Sequence, residues 1–578
     1  MASFASTTEL DGSGFPKSFY FDQLCHLYKE QLYSNVLSLG GMLLTMTDKA
    51  ADLLTGPQHL RSLIYLGDAA YNLLEYSRAE SLYRKALQMY KTLMKFSPQL
   101  KDQIAEDCCN DLKYKLYLCN VRCNKPLEAL SMLQSISAKQ RTARINMALG
   151  KLYLENGMER AATTSFKEVL RECPMALEAI EALLSLGLKE SDIIGFIQQN
   201  TKVHQPQWFV WWLRANAAFY SKDLNQALSL FNHLQDSTAL MNNHSILVSL
   251  GKIHMYLGDY QSAIVPLKLA HLNDSINMTG MDLLAFLLWS EKRVPELEKL
   301  MLKLVENNYQ DRKCEPWIAL AYFAQITNRS ARGLYFAHRG SSCISYGVGK
   351  NLEGYLAKGH ILLDMKKYQD ALDCFREAML LAPMRFEPHK GLVDCYIAMH
   401  RFRDALTIAT SASKKLGQNP RTLTMCASAM QKDPLTVSKA KSYLEKALSH
   451  DPKYLPAIFM LVEILESEGM FTHAINLLQK QVSIQCNPPQ LHLKLAELLC
   501  KNNMEDKAAD HFSIALRLDP NNRDAREGLS RLDPASSRGA VHDVSGSVYE
   551  LEDIDLDDDE DEHDVSYEDM NISSFILE

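Results

Sequence analysis

Potential metal ligands and phosphate-binding glycines occur at only a few places in this chain. Cys108-Cys109 and Cys119-x3-Cys123 are the closest cysteine clusters, but neither has the second matched pair that a zinc site needs. Gly347–Lys350 (Gly-Val-Gly-Lys) is only a fragment of a phosphate-binding loop. The 17 histidines are dispersed. We therefore predict structural thiols, no metal, no cofactor and no catalytic residue.

Charge is divided unevenly along the 578 residues. The net charge is −8, but residues 541–578 contain 15 Asp or Glu and no Lys or Arg, which leaves +7 for residues 1–540. A run of like charges with little apolar area favours disorder. We predict a disordered acidic tail over residues 534–578 and a disordered N-terminus over residues 1–20. The weak basic excess elsewhere argues against nucleic acid as a ligand.

The apolar segments are too short for a membrane protein. Leu283–Trp289 is among the longest apolar runs, whereas a membrane helix needs about 20 such residues. Residues 1–16 lack the basic and then apolar segments of a secretory leader. The 13 scattered cysteines are odd in number, which is typical of a reducing compartment. These features predict an intracellular protein without membrane contact.

The dominant pattern is a repeat of about 34 residues. Three segments, Ala143–Pro174, Leu352–Pro383 and Pro489–Pro520, align with small residues at positions 8 and 20, phenylalanine at 24 and proline at 32. This pattern resembles the tetratricopeptide (TPR) repeat, in which two helices form an antiparallel pair. Small residues let the two backbones approach closely, and proline ends the second helix.

Thirteen such units can be placed along the chain, starting near residues 60, 110, 143, 177, 208, 244, 278, 314, 352, 386, 421, 455 and 489. A helical pair, Phe21–Gln31 and Tyr33–Met46, precedes them, and Asp524–Leu532 is predicted to cap the last unit. We predict an all-α TPR superhelical solenoid of about fourteen repeats, with N-terminal repeats over residues 21–140 and a longer array over 141–533. The interval between the unit starts at 60 and 110 is longer than one repeat. The extra residues, near 95–107, predict a loop or a helix extension.

The residues predicted to pack the repeats occupy the small, aromatic and proline positions of the pattern. They are Gly67, Ala79, Tyr83, Ala86, Gly150, Tyr153, Ala162, Phe166, Pro174, Gly251, Ala263, Ala270, Gly359, Ala371, Phe375, Ala378, Pro383, Ala440, Ala447, Pro452, Ala508, Phe512, Ala515 and Pro520.

A TPR array presents a long groove that suits an extended peptide or a partner helix. Chaperone adaptors of this class clamp a terminal carboxylate with Lys at position 5 and Asn at position 9 of one unit. Here only Lys390 lies at position 5, and Asp394 follows at position 9. An acidic residue would repel the carboxylate, so the sequence argues against that class.

Several stretches point to one family of TPR proteins. They are Ser34–Val36, Leu43–Met46, Arg144–Met147, Ser165–Arg171, Cys173-Pro174, Ala182–Leu186, Glu315–Trp317, Gly391–Tyr396 and Gln418–Thr424. Together with the acidic tail, they resemble the subunit 7 family of the anaphase-promoting complex (cyclosome), over roughly residues 21–533. The apolar end of the tail, Ile572–Leu577, departs from that family's pattern.

The resemblance implies a non-catalytic scaffold of a mitotic ubiquitin ligase, in the nucleus and cytoplasm. Its expected partners are the other TPR subunits of the complex, coactivator tails and a second copy of itself. Cullin, RING and ubiquitin-conjugating subunits would supply the chemistry. Two alternatives stay open: a different TPR subunit (3, 6 or 8) of the same ligase, and a generic TPR adaptor.

The resemblance implies that the homodimer forms through the N-terminal repeats. Its candidate interface is the apolar set of the first helical pair, namely Leu24, Leu27, Leu32, Leu39 and Leu43. Packing of these leucines within one chain is the alternative, because stacked repeats bury the same residue types.

Overall fold

A computed structural model describes residues 17–49, 53–96, 108–200, 206–306, 313–342, 351–431, 436–484, 489–520 and 522–532. These residues form 29 α-helices and one short 3-10 helix, Ala138–Gln140, and contain no β-strand. The all-α TPR fold predicted from the repeat is confirmed. The predicted acidic tail, residues 534–578, lies outside the described residues.

The helices alternate as the first (A) and second (B) helix of the predicted units. In chain order they are α1 Lys17–Lys29, α2 Tyr33–Lys49, α3 Gly56–Asn72, α4 Tyr76–Phe96, α5 Cys108–Arg122, α6 Pro126–Gln134, α7 Ala143–Glu155, α8 Glu159–Glu172, α9 Leu177–Ser185, α10 Glu190–Asn200, α11 Gln207–Tyr220, α12 Leu224–Ser237, α13 His244–Leu257, α14 Tyr260–Asn273, α15 Met281–Ser290, α16 Val294–Glu306, α17 Glu315–Ile326, α18 Ser330–Ser342, α19 Leu352–Asp364, α20 Tyr368–Leu381, α21 Phe386–Ala398, α22 Phe402–Leu416, α23 Pro420–Gln431, α24 Val437–His450, α25 Leu455–Ser467, α26 Phe471–Ile484, α27 Pro489–Lys501, α28 Glu505–Leu518 and α29 Arg523–Leu532.

The described residues divide into two compact units, one up to Ile464 and one from Leu465 onwards. In the first unit, B helices pack between successive A helices, and α15, α17, α19, α21 and α23 also touch one another in a continuous row. In the second unit, α26 packs on α27, α27 on α28 and α28 on α29.

The predicted unit starts agree closely with the observed helices. Those at 143, 177, 244, 352, 386, 455 and 489 coincide with the first residue of a helix, and the others lie within four residues of one. One prediction needs correction. Residues 17–20 are predicted to be a disordered N-terminus, but α1 begins at Lys17, one turn ahead of the buried Phe21. Near residues 95–107, where a loop or a helix extension is predicted, Lys95 and Phe96 belong to α4, which runs for 21 residues, and residues 97–107 lie outside the described residues.

The turn between the two helices of a unit is nearly constant. Its central residue takes a left-handed conformation, as at Lys366 (φ 62°) and His400 (φ 58°). The amide of Lys367 then donates to the carbonyl of Leu362 (2.9 Å), and that of Lys366 to Leu363 (3.0 Å). This Schellman ending satisfies the last carbonyls of the A helix and lets the B helix begin at once.

The packing positions of the repeat lie where the pattern predicts. The alanines of the set, such as Ala371 and Ala378, are fully buried, and Phe375 is 0% exposed. A Cβ atom at Gly359 would lie 2.8 Å from the Phe375 ring, so only glycine leaves room for this aromatic side chain. Gly67 with Tyr83 and Gly150 with Phe166 repeat the arrangement.

The prolines of the set have a different role. Pro174, Pro383, Pro452 and Pro520 are half-buried or exposed, and each follows the last residue of a B helix by two positions. They therefore end helices rather than fill the core.

Candidate interaction surfaces

The row of A helices from α13 to α23 is sharply curved. Helix α15 touches α19 as well as α17. The end of α13 and the start of α14 also reach the beginnings of α21 and α23, which lie more than 120 residues further along the chain. The inner face of this row is the groove in which a TPR protein would hold a peptide.

Aromatic side chains fill the floor of this groove. The Trp289 ring centroid lies 5.1 Å from that of Tyr322 and 4.9 Å from that of His360. Phe286 lies 6.0 Å from Trp289, and Phe375 lies 5.3 Å from His360. These contacts join three A helices, α15, α17 and α19, into one apolar cluster.

A buried ionic network covers the aromatic floor. Arg385, immediately before α21, is 3% exposed. Its Nε donates to Oε2 of Glu387 (2.9 Å) and its Nη2 donates to Oε2 of Glu353 (3.2 Å), while Nη1 donates to the other Glu353 oxygen. The guanidinium also lies 5.8 Å above the Phe286 ring. One arginine thus joins α15, α19 and α21.

Arg421 extends the network to the far side of the groove. Its Nη2 donates to Oε1 of Glu387 (3.3 Å) and to the Tyr260 hydroxyl, and its Nη1 donates to the carbonyl of Met255 (3.4 Å). Tyr260 donates to the same Glu387 oxygen (2.7 Å). The side chain stacks on Phe386, 4.1 Å from the ring centroid.

The two buried carboxylates of this network differ in pKa. Burial raises the pKa of Glu353 to about 7, against the attraction of Arg385. Burial acts on Glu387 in the same direction, but Arg385, Arg421 and the Tyr260 hydroxyl outweigh it and hold the pKa of Glu387 at about 2. Glu387 is therefore the permanently charged centre of the network.

The network and the aromatic floor occupy the groove with the chain's own side chains. A peptide could not run along the inner face between α13 and α23 without breaking buried, hydrogen-bonded charges, which is costly. We therefore expect a peptide to bind elsewhere on the array rather than along this section of the groove. The residues responsible look like ordinary surface charges in the sequence, because their partners lie in distant repeats.

His360 makes the stability of this section depend on pH. Its Nε2 is buried without a hydrogen-bond partner among the described residues, and burial together with the charge of Lys390 lowers the pKa of His360 to about 4. The unfolded chain binds a proton near the usual pKa of about 6.5. Stability is therefore lost as the pH falls from about 6.5 towards 4, by roughly 2 kcal/mol between pH 7 and pH 5.

We expect His360→Phe to remove this share of the pH dependence, because phenylalanine fits the aromatic cluster and does not titrate. Urea unfolding followed by circular dichroism at pH 7 and pH 5 measures it. His450→Phe, at an exposed helix end, is the matched control and should keep the wild-type pH dependence. Equal pH dependence in the His360 variant and wild type would contradict the assignment.

The first helical pair presents a second surface. Leu24 (0% exposed) and Leu43 (1%) are buried in the core that α1–α5 form, and Leu27 and Leu39 are half-buried. Leu32 is 46% exposed, and it is accompanied by Met42 (67%), Met46 (40%) and Phe19 (40%). Of the five predicted dimer residues, only Leu32 is therefore mostly exposed. Phe19, Met42 and Met46 were not predicted from the sequence.

The cysteines do not form a site in the described part of the chain. The eleven that the structure describes are free thiols, and no group of three or more potential ligands there could hold a metal ion. Burial raises the pKa of Cys119 and of Cys395 to about 12, which keeps both thiols protonated and unreactive.

Comparison with known proteins places the chain in a family. Tetratricopeptide-repeat models match residues 59–98 and 352–383. Anaphase-promoting complex subunit 7 of Homo sapiens is 34% identical over 535 residues, which cover 89% of this chain and 93% of the relative. The chain belongs to the anaphase-promoting complex subunit 7 family. The subunit 7 of Arabidopsis thaliana is 28% identical, again over 89% of this chain and 93% of the relative.

A solved structure shares the fold of this subunit 7 family member. The crystal structure of the APC/C hetero-tetramer Cut9–Hcn1 contains a chain with a TM-score of 0.53 and 15% sequence identity, covering 89% of this chain and 96% of that one. None of the described helices is both long enough and apolar enough to cross a membrane.

Lys390 and Asp394, at positions 5 and 9 of their repeat, also argue against a carboxylate clamp in this subunit 7 family member. Both lie on α21, and burial raises the pKa of Asp394 to about 6, partly offset by Lys390. With an acidic group at that position there is no side-chain amide N–H to donate a hydrogen bond to a peptide carboxylate.

Proposed function

We propose that this chain is a non-catalytic TPR scaffold subunit of the anaphase-promoting complex, an E3 ubiquitin ligase that controls mitotic progression. The observation that carries the proposal is the family relationship over 89% of the chain, because it extends along nearly the whole repeat array. In this role the chain contacts other TPR subunits and helps to present coactivator and substrate, in the nucleus and cytoplasm.

The filled groove favours a rigid supporting role for the section from α13 to α23. Buried charge pairs and stacked aromatic rings hold α13, α15, α19, α21 and α23 together. Partner subunits would then bind the outer faces and edges of this section. We place any binding of coactivator tails in the repeats before α13, because the network of Arg385, Glu387 and Arg421 fills the section from α13 to α23.

If the chain is a non-catalytic scaffold, other subunits of the complex carry out ubiquitin transfer. A particle purified through this chain from mitotic cells should form ubiquitin conjugates when supplied with ubiquitin, activating enzyme and conjugating enzyme. The recombinant chain alone should form none under the same conditions. Activity of the chain alone, or an inactive particle that contains all its subunits, would overturn the non-catalytic scaffold assignment.

We also propose that the chain forms a homodimer through the exposed apolar residues of its first helical pair. Met42→Glu and Leu32→Glu, made singly, should weaken dimerisation by about a hundredfold, because each would bury an unpaired carboxylate in the interface. Neither side chain belongs to the buried core of its own chain, so the variants should remain folded. Light scattering measures the molar mass, and circular dichroism checks the helices.

Leu380→Glu is the matched control. Leu380 is 71% exposed on α20, far along the chain from the first pair, and its substitution should leave a dimer. The proposal fails if the wild-type chain is monomeric at micromolar concentration or if the Met42 and Leu32 variants remain fully dimeric. The buried Leu24 and Leu43 are poor test positions, since charging them would unfold the pair.

A further inference from the structure

An open cavity of about 250 Å³ lies between two B helices, α14 and α16. Leu284 and Leu288 of α15 form its floor. Helix α14 contains Pro266, which lacks a backbone N–H and lies two residues before the lining residue Lys268. Nothing in the proposed scaffold function uses this space.

The walls of the cavity are cationic. Lys268 of α14 and Lys299 and Lys303 of α16 line it, with a single acidic residue, Glu296. Glu296 forms an ion pair with Lys268. Neither Lys299 nor Lys303 forms an ion pair with a described residue, so two positive charges remain uncompensated at the cavity.

A buried polar side chain without partners lines the same cavity. His271 is 7% exposed, and neither of its ring nitrogens has a hydrogen-bond partner among the described residues. Burial, with the nearby charges of Lys303 and His244, lowers the pKa of His271 and keeps the ring neutral. Buried polar groups are nearly always hydrogen-bonded, and the neutral His271 ring has an N–H that can donate to an anion held by Lys299 and Lys303.

Exposed apolar side chains lie on the same helix as the cavity wall. Leu272 lines the cavity and is 72% exposed, and Val265, two turns earlier on the same face of α14, is 67% exposed. A free ion would make no use of these side chains, whereas a peptide would place apolar residues on them.

We propose that this cavity binds a phosphorylated side chain of a partner protein, whose neighbouring apolar residues pack on Leu272 and Val265. The two uncompensated lysine charges match the charge of a phosphate monoester, about −2 at neutral pH, better than the single charge of a carboxylate. The phosphate oxygens accept hydrogen bonds from the Lys299 and Lys303 ammonium groups.

A neighbouring space in the array shows that the charge is specific to this site. The larger cavity between α18 and α20 is lined by Lys358 and Lys367 but also by Asp370, Asp373 and Glu377. Its acidic residues outnumber its lysines, so it would repel a phosphate. The cationic lining is therefore not a general property of the spaces between B helices.

Fluorescence anisotropy with the full chain and three labelled peptides tests the proposal. The peptides are Ala-Leu-pSer-Leu-Ala and its counterparts with Glu or unmodified Ser at the centre, in buffer of about 0.1 M ionic strength, where contacts between close charges persist. We expect the phosphopeptide to bind at least about tenfold more tightly than either counterpart, and inorganic phosphate to compete with it.

Substitutions assign the binding to the cavity. Lys299→Ser with Lys303→Ser should weaken phosphopeptide binding by about tenfold or more. Leu272→Ser should weaken it by about fivefold and leave competition by inorganic phosphate unchanged. The control Lys439→Ser with Lys446→Ser removes two lysines from another B helix, α24, and should have no effect.

Three outcomes would overturn the proposal: equal binding of the Glu and phosphoserine peptides, equal loss in the control variant, or no loss in the Lys299 and Lys303 variant. These measurements use the chain alone, so a result that overturns the phosphate site would not affect the scaffold proposal.

Discussion

Replacing Arg385 with methionine is expected to lower the free energy of unfolding by about 3–5 kcal/mol, because it leaves two buried carboxylates with too few partners. Glu353 would lose its only arginine, and Glu387 would keep Arg421 and Tyr260. The hydrogen-bonded amides of α19 and α21 should also exchange hydrogen faster, because the arginine links these helices to each other and to α15.

A second substitution separates the charge effect from a loss of packing. Replacing Glu353 with methionine in the Arg385→Met background should recover much of the lost stability, since an apolar pair can replace a buried ion pair at little cost. Arg403→Met, on the exposed face of α22, is the control and should change stability by no more than about 0.5 kcal/mol. Urea unfolding and hydrogen exchange measure both effects. A loss under 1 kcal/mol in Arg385→Met would contradict the network.

Phe375→Ala is expected to cost about 3–5 kcal/mol, the range found for large aromatic residues removed from a packed core. The ring is fully buried on α20 and is enclosed by Gly359 of α19 and Gly391 of α21. These glycines have no side chains that could move into the space, so the cavity would stay largely open. The loss should spread to both neighbouring repeats, since the ring joins them.

Leu380→Ala is the matched control on the same helix. Leu380 is 71% exposed, and leucine and alanine have similar helix propensities. We expect its unfolding midpoint in urea to stay close to that of the wild type. If Phe375→Ala and Leu380→Ala have similar midpoints, the repeat is not held together at this position, and the packing account is wrong.

The repeats were predictable because the residues that define each repeat lie close together in the sequence. Gly359, Ala371, Phe375 and Ala378 recur at fixed spacing within one unit of about 34 residues, and each unit buries its apolar face against its neighbours. The same reasoning placed seven of the thirteen unit starts at the first residue of a helix. It did not place the start of α1, because the ends of a helix depend on what each turn packs against.

The ionic network and the cavity were not predictable for the opposite reason. Arg385 and Glu387 lie two positions apart and resemble a solvated helix start, yet Glu353, Tyr260 and Arg421 complete the network from three other repeats. Only the curvature of the array brings these side chains together, and curvature is a sum of small rotations that no short pattern encodes.

The first helical pair shows the limit of residue type as a guide. Leu24 and Leu32 are chemically identical and lie eight positions apart, but one is fully buried and the other is 46% exposed. Leu24 lies on α1 in the core of the first repeats, whereas Leu32 lies in the turn between α1 and α2.

The scaffold proposal is tested most directly by the proteins that co-purify with this chain from cells. Quantitative mass spectrometry of the particle purified through the tagged full-length chain, from mitotic cells, measures this composition. The account predicts cullin, RING and other TPR subunits of the anaphase-promoting complex, with this chain present at two copies for each cullin. Recovery of the chain with chaperones alone, or in particles without cullin and RING subunits, would contradict it.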